Sequence, residues 1–415
     1  MMQDEPERVE TRACVVGGGP AGMMCGFLLA RAGVPVVVLE KHADFFRDFR
    51  GDTIHPSTLE LMYELGLLDR FLKVPHDEVR EIGAWVGSSF MRVGDFTGLP
   101  THCKFLAFMP QWDFLDFLAR EARAYPAFSL RMQADVDGLI FDGERIAGVR
   151  AALPDGRLEV RATLVIGADG RHSVVRPDAG LEVETFGAPM DVLWFRVPRT
   201  PSDPGQVLGR VDRGKMLIML DRGDYFQCGF LIRKGAFDEI QQRGLPAFRE
   251  DIASLAPFLK DRLDAIAQWS DVRLLTVTID RLRRWWRPGL LCIGDAAHAM
   301  SPIGGVGINL AVQDAVAAAN ILWPALRDGS APPALLERVQ RRREFPTRVT
   351  QGIQVMIQNN VIRRVLGIDT PLSPPWPLRL LNRFRALRGI PARLVGIGVR
   401  PEHVQTPDVS AQPAR

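Results

Sequence analysis

Residues 12–40 read RACVVGGGPAGMMCGFLLARAGVPVVVLE. Residues 12–16, apolar from Ala13 on, read as a short buried strand. The glycines at 17–19 turn the chain, an apolar helix runs to about Arg31, and a second strand over 34–39 ends at Glu40. Strand, turn, helix and strand within about 30 residues open a doubly wound parallel sheet. Within that unit stands Gly17-x-Gly19-x-x-Gly22. The first glycine allows the tight turn, the second lets a pyrophosphate approach the backbone, and the third lets the helix pack on the strand. The helix N-terminus, with Pro20 and Ala21 in its first turn, offers free N–H groups and the positive end of its dipole to phosphates. Glu40 lies 18 residues past Gly22, where a carboxylate can accept both hydroxyls of an adenosine ribose. NAD and FAD both satisfy this pattern.

The rest of the chain sets the frame. It has 415 residues, 47% hydrophobic and 24% charged, ordinary for a globular protein of two or three domains. The 38 Gly and 30 Pro form no repeat, which excludes collagen-like and disordered classes. A net charge of +3 is too small to argue for nucleic acid. The charge is uneven, however: residues 331–415 hold 14 Arg, no Lys and five acids. Five scattered cysteines with no metal or redox spacing point to reduced thiols and a cytoplasmic location. Four acids among residues 1–12 are unlike a secretory signal. Residues 13–30 and 296–313 are uncharged for 18 residues each, near the lower limit for a membrane span. Glycine clusters break both, so nucleotide-binding turns are the better reading.

Further along, residues 56–73 and 112–124 have helical apolar spacing. Residues 164–166 form a strand running into Gly167-Ala168-Asp169-Gly170-x-x-Ser173-x-x-Arg176. Between about 183 and 279 come runs rich in β formers, at 192–197, 216–220, 225–232 and 272–279, separated by turns such as Asp221-Arg222-Gly223-Asp224. They read as an inserted antiparallel sheet. A buried strand returns at 290–294. It leads into Gly294-Asp295-Ala296-Ala297-His298, then Pro302, Gly304, Gly305, Gly307 and Asn309, at the head of an Ala-rich helix over 309–326. An acid at a strand end suits sugar or ribityl hydroxyls. A bare loop at a helix N-terminus suits a flat ring that turns anionic when reduced.

The three motifs, in this order and spacing, resemble the single-component (group A) flavoprotein aromatic monooxygenases of the p-hydroxybenzoate hydroxylase fold, with the ubiquinone-ring and phenol hydroxylases similar. The resemblance covers roughly residues 10–345. It implies an α/β fold: a Rossmann-like FAD-binding domain (1–74, 98–182 and 280–345), an inserted mainly antiparallel β-sheet substrate domain (75–97 and 183–279) and a helical basic C-terminal segment (346–415). It implies FAD held by Gly17, Gly19, Pro20, Ala21 and Gly22 at the pyrophosphate, by Glu40 and Lys41 at the adenosine, by Arg50 near the phosphates, and by Gln111, Val136, Asp169, Gly294 and Asp295 along the chain of the cofactor. Pro302, Gly305, Gly307 and Asn309 would line the isoalloxazine. Asp169 belongs to a motif that the family uses for both FAD and NAD(P)H.

The same resemblance implies NAD(P)H as co-substrate and O₂ activated as a C4a-hydroperoxyflavin that hydroxylates a small aromatic molecule. No protein nucleophile is required, because the cofactor carries the hard chemistry. Tyr225, His55 and Pro302 are candidate catalytic groups, and His298 reads as part of the structural signature. Trp194, Leu217, Tyr225 and Gln227 are candidate substrate contacts. Benzoate hydroxylases place an Arg on the strand that corresponds to 216–220. Here that strand is Met216-Leu217-Ile218-Met219-Leu220, and an unpaired carboxylate buried there would cost several kcal/mol. A neutral or apolar aromatic (phenol, quinol or polyketide-like) is therefore expected, unless Arg92 enters the pocket. A reductase of the geranylgeranyl reductase type, or a flavin-binding interaction protein without turnover, would share these motifs. Residues 377–388 read as one basic amphipathic helix, either docked on the flavin domain or in peripheral contact with a membrane.

Overall fold

The computed structural model describes residues 5–46, 53–204 and 208–411. Its first sheet has a parallel core in the order Leu290–Cys292, Gly156–Gly167, Glu7–Val16, Val36–Glu40, Phe128–Met132. The strand Glu7–Val16 is longer than the sequence reading because only its last four residues are buried; the first six lie near the surface and, Val9 apart, carry polar side chains. A hairpin of Asp135–Asp142 and Arg145–Leu153 adds to the outer half of Gly156–Gly167 and has no counterpart in the sequence reading. Helices Pro20–Arg31 and Gly307–Arg327 pack on this sheet and on each other. The segment Ile303–Arg327 is apolar and long enough to cross a membrane, but 78% of its most apolar window is buried inside the protein, as in a core helix.

The second sheet is ordered Arg273–Leu275, Met190–Pro198, Tyr225–Arg233, Lys215–Asp221, Leu208–Asp212, Glu81–Val86, Ser89–Asp95. Its pairings are antiparallel except where Leu208–Asp212 runs parallel to Glu81–Val86. One face buries Leu193, Phe195, Leu217, Met219 and Phe226 with Phe248 of the helix Phe237–Leu255. The other presents Met190, Val192, Trp194, Met216 and Ile218.

Three expectations need correcting. The strand expected at 272–279 stops at Leu275. The helix expected at 56–73 ends at Glu64, where Gly66 turns with φ +68°, and resumes as one short turn, Leu68–Phe71. The helix expected at 377–388 is two helices, Trp376–Arg383 and Arg385–Gly396, broken at an extended Phe384. Arg388 folds back on the carbonyls freed by that break, donating to Leu381 at 3.0 Å and Asn382 at 2.6 Å. The pair docks on the edge of the second sheet: Arg385 meets Asp95 at 2.7 Å and the Arg92 amide donates to Asn382 at 3.1 Å.

Candidate active site

The glycine turn is built tightly on one side and left open on the other. Gly17 has φ +101°, and a Cβ there would lie 2.5 Å from the Ala168 carbonyl oxygen. A Cβ on Gly22 would lie 1.9 Å from the carbonyl oxygen of Gly17, so the helix is pressed against its own turn. Gly19 faces open space, with nothing within 4 Å of its would-be Cβ. It caps a helix that has no side-chain cap and no acid in its first turn, so the positive helix end is unquenched. Glu40 staples the turn, accepting from the Gly18 amide at 3.0 Å and the His42 amide at 3.1 Å.

The second motif adds Asp169. Its Oδ2 accepts from the amides of Val174 at 2.8 Å and Val175 at 3.2 Å, while Oδ1 is buried without a partner. Burial pushes this carboxyl up against the downward pull of Ser173 and the backbone amides.

The third motif supplies a second uncapped helix end. Gly304 (φ +78°) and Gly305 (φ +63°) bend the loop into Gly307–Arg327, which has neither side-chain cap nor first-turn acid. Asp295 pairs with Arg171 at 3.4 Å.

Both helix ends open into one cavity of about 740 Å³. Gly17, Gly19, Pro20, Ala21, Glu40, Lys41, Gln111, Val136, Asp169, Asp295, Pro302, Gly305 and Gly307 all line it, so sequence positions more than 280 residues apart converge. Gly22 does not line it and acts through packing.

Other candidates are placed elsewhere. Arg50 lies outside the described residues. Gly294 (φ +59°) sits behind the wall, where its would-be Cβ is 3.0 Å from Ala21 Cβ and its amide donates to Asp314 at 3.0 Å. Asn309 turns away from the cavity and accepts from Ser57 at 2.8 Å and Thr58 at 2.6 Å, tying its helix to Pro56–Glu64. His55 is fully buried between two carbonyls, Val395 at 2.7 Å and Gly305 at 3.1 Å, and does not line the cavity. Burial lowers its pKa against those two contacts, so the ring is disfavoured as a cation. His298 bonds Asp314 at 2.6 Å, and Asp314 also takes Arg343 at 2.9 Å, all three being buried. This network clamps the third motif to the helix Pro333–Ile357.

Opposite the flavin-motif wall, the cavity is roofed by the second sheet. Trp194 and Gln227 line it; Leu217 does not, because strand alternation turns it into the core on the far face. Its neighbours Met216, Ile218 and Leu220 take the place expected for it. Tyr225 sits at the start of its strand, outside the lining, with the Arg196 guanidinium 5.0 Å from its ring centre. Arg92 pairs with Glu81 at 3.4 Å and stays outside. No charged side chain lines the sheet side among the described residues. The sequence reading missed Ile357, Val361, Ile362 and Val395, C-terminal residues that close the cavity from a distance no local pattern reveals.

The family profile described as "FAD binding domain" matches residues 10–352. The chain belongs to this family. Among characterised relatives, the 6-methylpretetramide 4-monooxygenase of Streptomyces rimosus is 33% identical over 393 residues, covering 92% of each chain. The 3-demethoxyubiquinol 3-hydroxylase of Escherichia coli (strain K12) is 26% identical over 80% of this chain and 85% of its own. The crystal structure of p-nitrophenol 4-monooxygenase from Pseudomonas putida DLL-E4 superposes with a TM-score of 0.76 at 20% identity, over 95% of this chain and all of that one. The flavoprotein monooxygenase fold is thus shared end to end, and the chain is an FAD-dependent oxidoreductase of the aromatic monooxygenase group. The residues present suit FAD: an open Gly19, two uncapped helix ends for the pyrophosphate and the ring, and an orphaned Asp169 oxygen.

Proposed function

We propose that this flavoprotein monooxygenase hydroxylates a neutral aromatic molecule of apolar, polyketide-like or quinol-like character, using NAD(P)H and O₂. The observation that carries the reading is the division of the cavity. Every charged residue in its lining lies on the flavin-motif side, and the sheet opposite offers Met190, Val192, Met216, Ile218, Leu220 and Leu231. The activities of the relatives, on a pretetramide and on a ubiquinol, agree with such a substrate.

Bound FAD would take the electrons from NAD(P)H and pass them to O₂, activating it. This chain's residues do the rest. Gly17 to Ala21 receive the pyrophosphate at the first helix end, with Glu40 and Lys41 beside the adenosine. Gln111, Val136, Asp169 and Asp295 would hold the middle of the cofactor, and Pro302, Gly305 and Gly307 would offer backbone to its ring. The uncapped Gly307 helix end favours negative charge developing there. The sheet and the C-terminal residues Ile357, Val361, Ile362 and Val395 exclude water from the reacting ring. Among the described residues no side chain of the sheet face carries a carboxylate or imidazole, so the substrate's own phenol or quinol oxygen would supply the electron density for hydroxylation.

The test is consumption of reduced nicotinamide by the FAD-loaded protein against a panel of phenols, quinols and fused-ring aromatics under ¹⁸O₂. One labelled oxygen in the product supports the reading. Substrate-stimulated consumption that yields a reduced, unlabelled product would make the protein a reductase.

A further inference from the structure

The two C-terminal helices, Trp376–Arg383 and Arg385–Gly396, each use one face to dock on the edge strand Ser89–Asp95. In the second helix the buried stripe is Arg388, Ala392 and Gly396, and a Cβ on Gly396 would lie 3.0 Å from Leu99 and 3.2 Å from Phe96. Ile390 and Leu394 stand two residues on from that stripe, about 200° round the helix. They are 67% and 37% exposed. In the first helix Leu378, Leu381 and Asn382 are half-buried, and Trp376 and Leu380 lie opposite them, 74% and 41% exposed. Phe384, at the break between the helices, is 51% exposed. Because both helices lie on one strand, both outer faces point away from the same sheet edge. None of these five apolar side chains lines the cavity, so what they are exposed to is the outside.

The charge around them has one sign. Residues 370–401 hold six Arg and no acid. The carboxylates of the adjoining strands are already taken, Asp95 by Arg385 at 2.7 Å and Glu81 by Arg92 at 3.4 Å. Arg379 reaches only the Pro374 carbonyl, at 2.7 Å, and Arg383 lies 5.8 Å from the Phe384 ring centre. Neither of these two nor Arg393 meets a carboxylate among the described residues.

This combination decides the occupant. A second copy of the same face would set these arginines against one another with no acid to answer them. An anionic phospholipid bilayer answers both features: apolar side chains enter the boundary between headgroups and acyl chains, and guanidinium groups meet the phosphates. The face also adjoins the cavity, since Val395, which follows Leu394 in the helix, lines it. We infer that the outer face of residues 376–396 docks on an anionic phospholipid bilayer and holds the Val395 wall of the cavity close to the lipid surface. This goes beyond the substrate reading above and does not depend on it.

The full-length, FAD-loaded protein is floated with vesicles of phosphatidylglycerol and, separately, of phosphatidylcholine. Binding to phosphatidylglycerol is expected to be about tenfold or more the stronger, and to fall as salt rises. Arg383→Gln and Arg393→Gln should each weaken it roughly fivefold. Trp376→Ser and Ile390→Ser should each weaken it about tenfold or more. All four side chains are exposed, so thermal unfolding of each variant should match that of the parent. Phe141→Ser removes a 47% exposed apolar residue from the hairpin of the first sheet and should leave vesicle binding unchanged. Absence of binding to phosphatidylglycerol overturns the inference. So does binding that ignores headgroup charge and salt, or that Phe141→Ser weakens as much as Trp376→Ser does. A parent that self-associates in light scattering without binding vesicles, and that Trp376→Ser returns to monomer, assigns the face to a second copy and overturns the inference as well.

Discussion

Gly19 and Gly22 sit three residues apart in one motif, yet the structure predicts opposite consequences for the same added methyl. At Gly19 the backbone (φ −74°, ψ −176°) is open to any residue, and nothing lies within 4 Å of a new Cβ. Alanine is a poorer helix cap than glycine by on the order of 1 kcal/mol, and a stiffer unfolded chain returns about 0.4–1 kcal/mol. The folded protein should therefore be within about 1 kcal/mol of the parent. The methyl would instead occupy the space where a pyrophosphate must meet the helix end. Losing one charge-assisted hydrogen bond costs about 1.5–3 kcal/mol, or roughly ten- to a hundredfold in FAD affinity. At Gly22 the methyl would stand 1.9 Å from the Gly17 carbonyl oxygen, so helix and turn must separate. Overpacking of this kind costs about 1–3 kcal/mol or more, and the damage appears before any FAD is added. Urea unfolding without FAD, followed by FAD titration, separates the two. Gly19→Ala with parental FAD affinity, or Gly19→Ala that is as unstable as Gly22→Ala, would refute this account of the cradle.

Four other outcomes are expected. Asp314→Asn removes one of the two carboxylates on buried Arg343, the other being Glu402 at 3.2 Å, so the loss should fall below the about 3–5 kcal/mol of an uncompensated buried charge, measurable by urea unfolding. Arg262, bonded to Asp203 at 2.8 Å, holds that carboxyl down at about 2 from an ordinary 3.8. A depressed acid contributes stability above its unfolded pKa and loses it as pH falls, so the stability gap between parent and Asp203→Asn should be constant above about pH 4 and close toward pH 2. Asp295→Ala and Glu40→Arg should each weaken FAD binding, the second more, because it also removes the acceptor of the Gly18 and His42 amides. Across neutral phenols with growing alkyl chains, specificity should rise by about 0.8 kcal/mol, roughly fourfold, per buried CH₂, while p-hydroxybenzoate stays poor; a flat series with benzoate ahead would refute the apolar face.

How far the sequence could be read depended on where the deciding contacts lie. The glycine cradle was legible at 17–22 because it is local: one turn, one helix and one strand, each with its own signature within 29 residues. The three motifs could be assigned to one site only by their order, and the structure shows the physical link, with Gly294 packed against Ala21 and Ala311. The strand Met216–Leu220 is where reading by pattern ran out. Alternation reveals facing when one side is polar, and here both faces are apolar, one against the Phe248 core and one against the cavity, so Leu217 was assigned to the wrong side. The break at Phe384 was equally invisible. Local spacing favours continuing the helix, and what ends it comes from far along the chain: Asp95 on Arg385 and the Arg92 amide on Asn382, with Arg388 bonded to the exposed carbonyls. Asn309 shows the same limit at a single residue. Its position at the head of the helix that opens into the cavity was legible, but its direction was set by Ser57 and Thr58, some 250 residues earlier. Sequence pattern thus locates the glycine turns and open helix ends, whose geometry is carried by backbone, and loses the sheet face of the cavity, whose geometry is carried by side chains answering to distant neighbours.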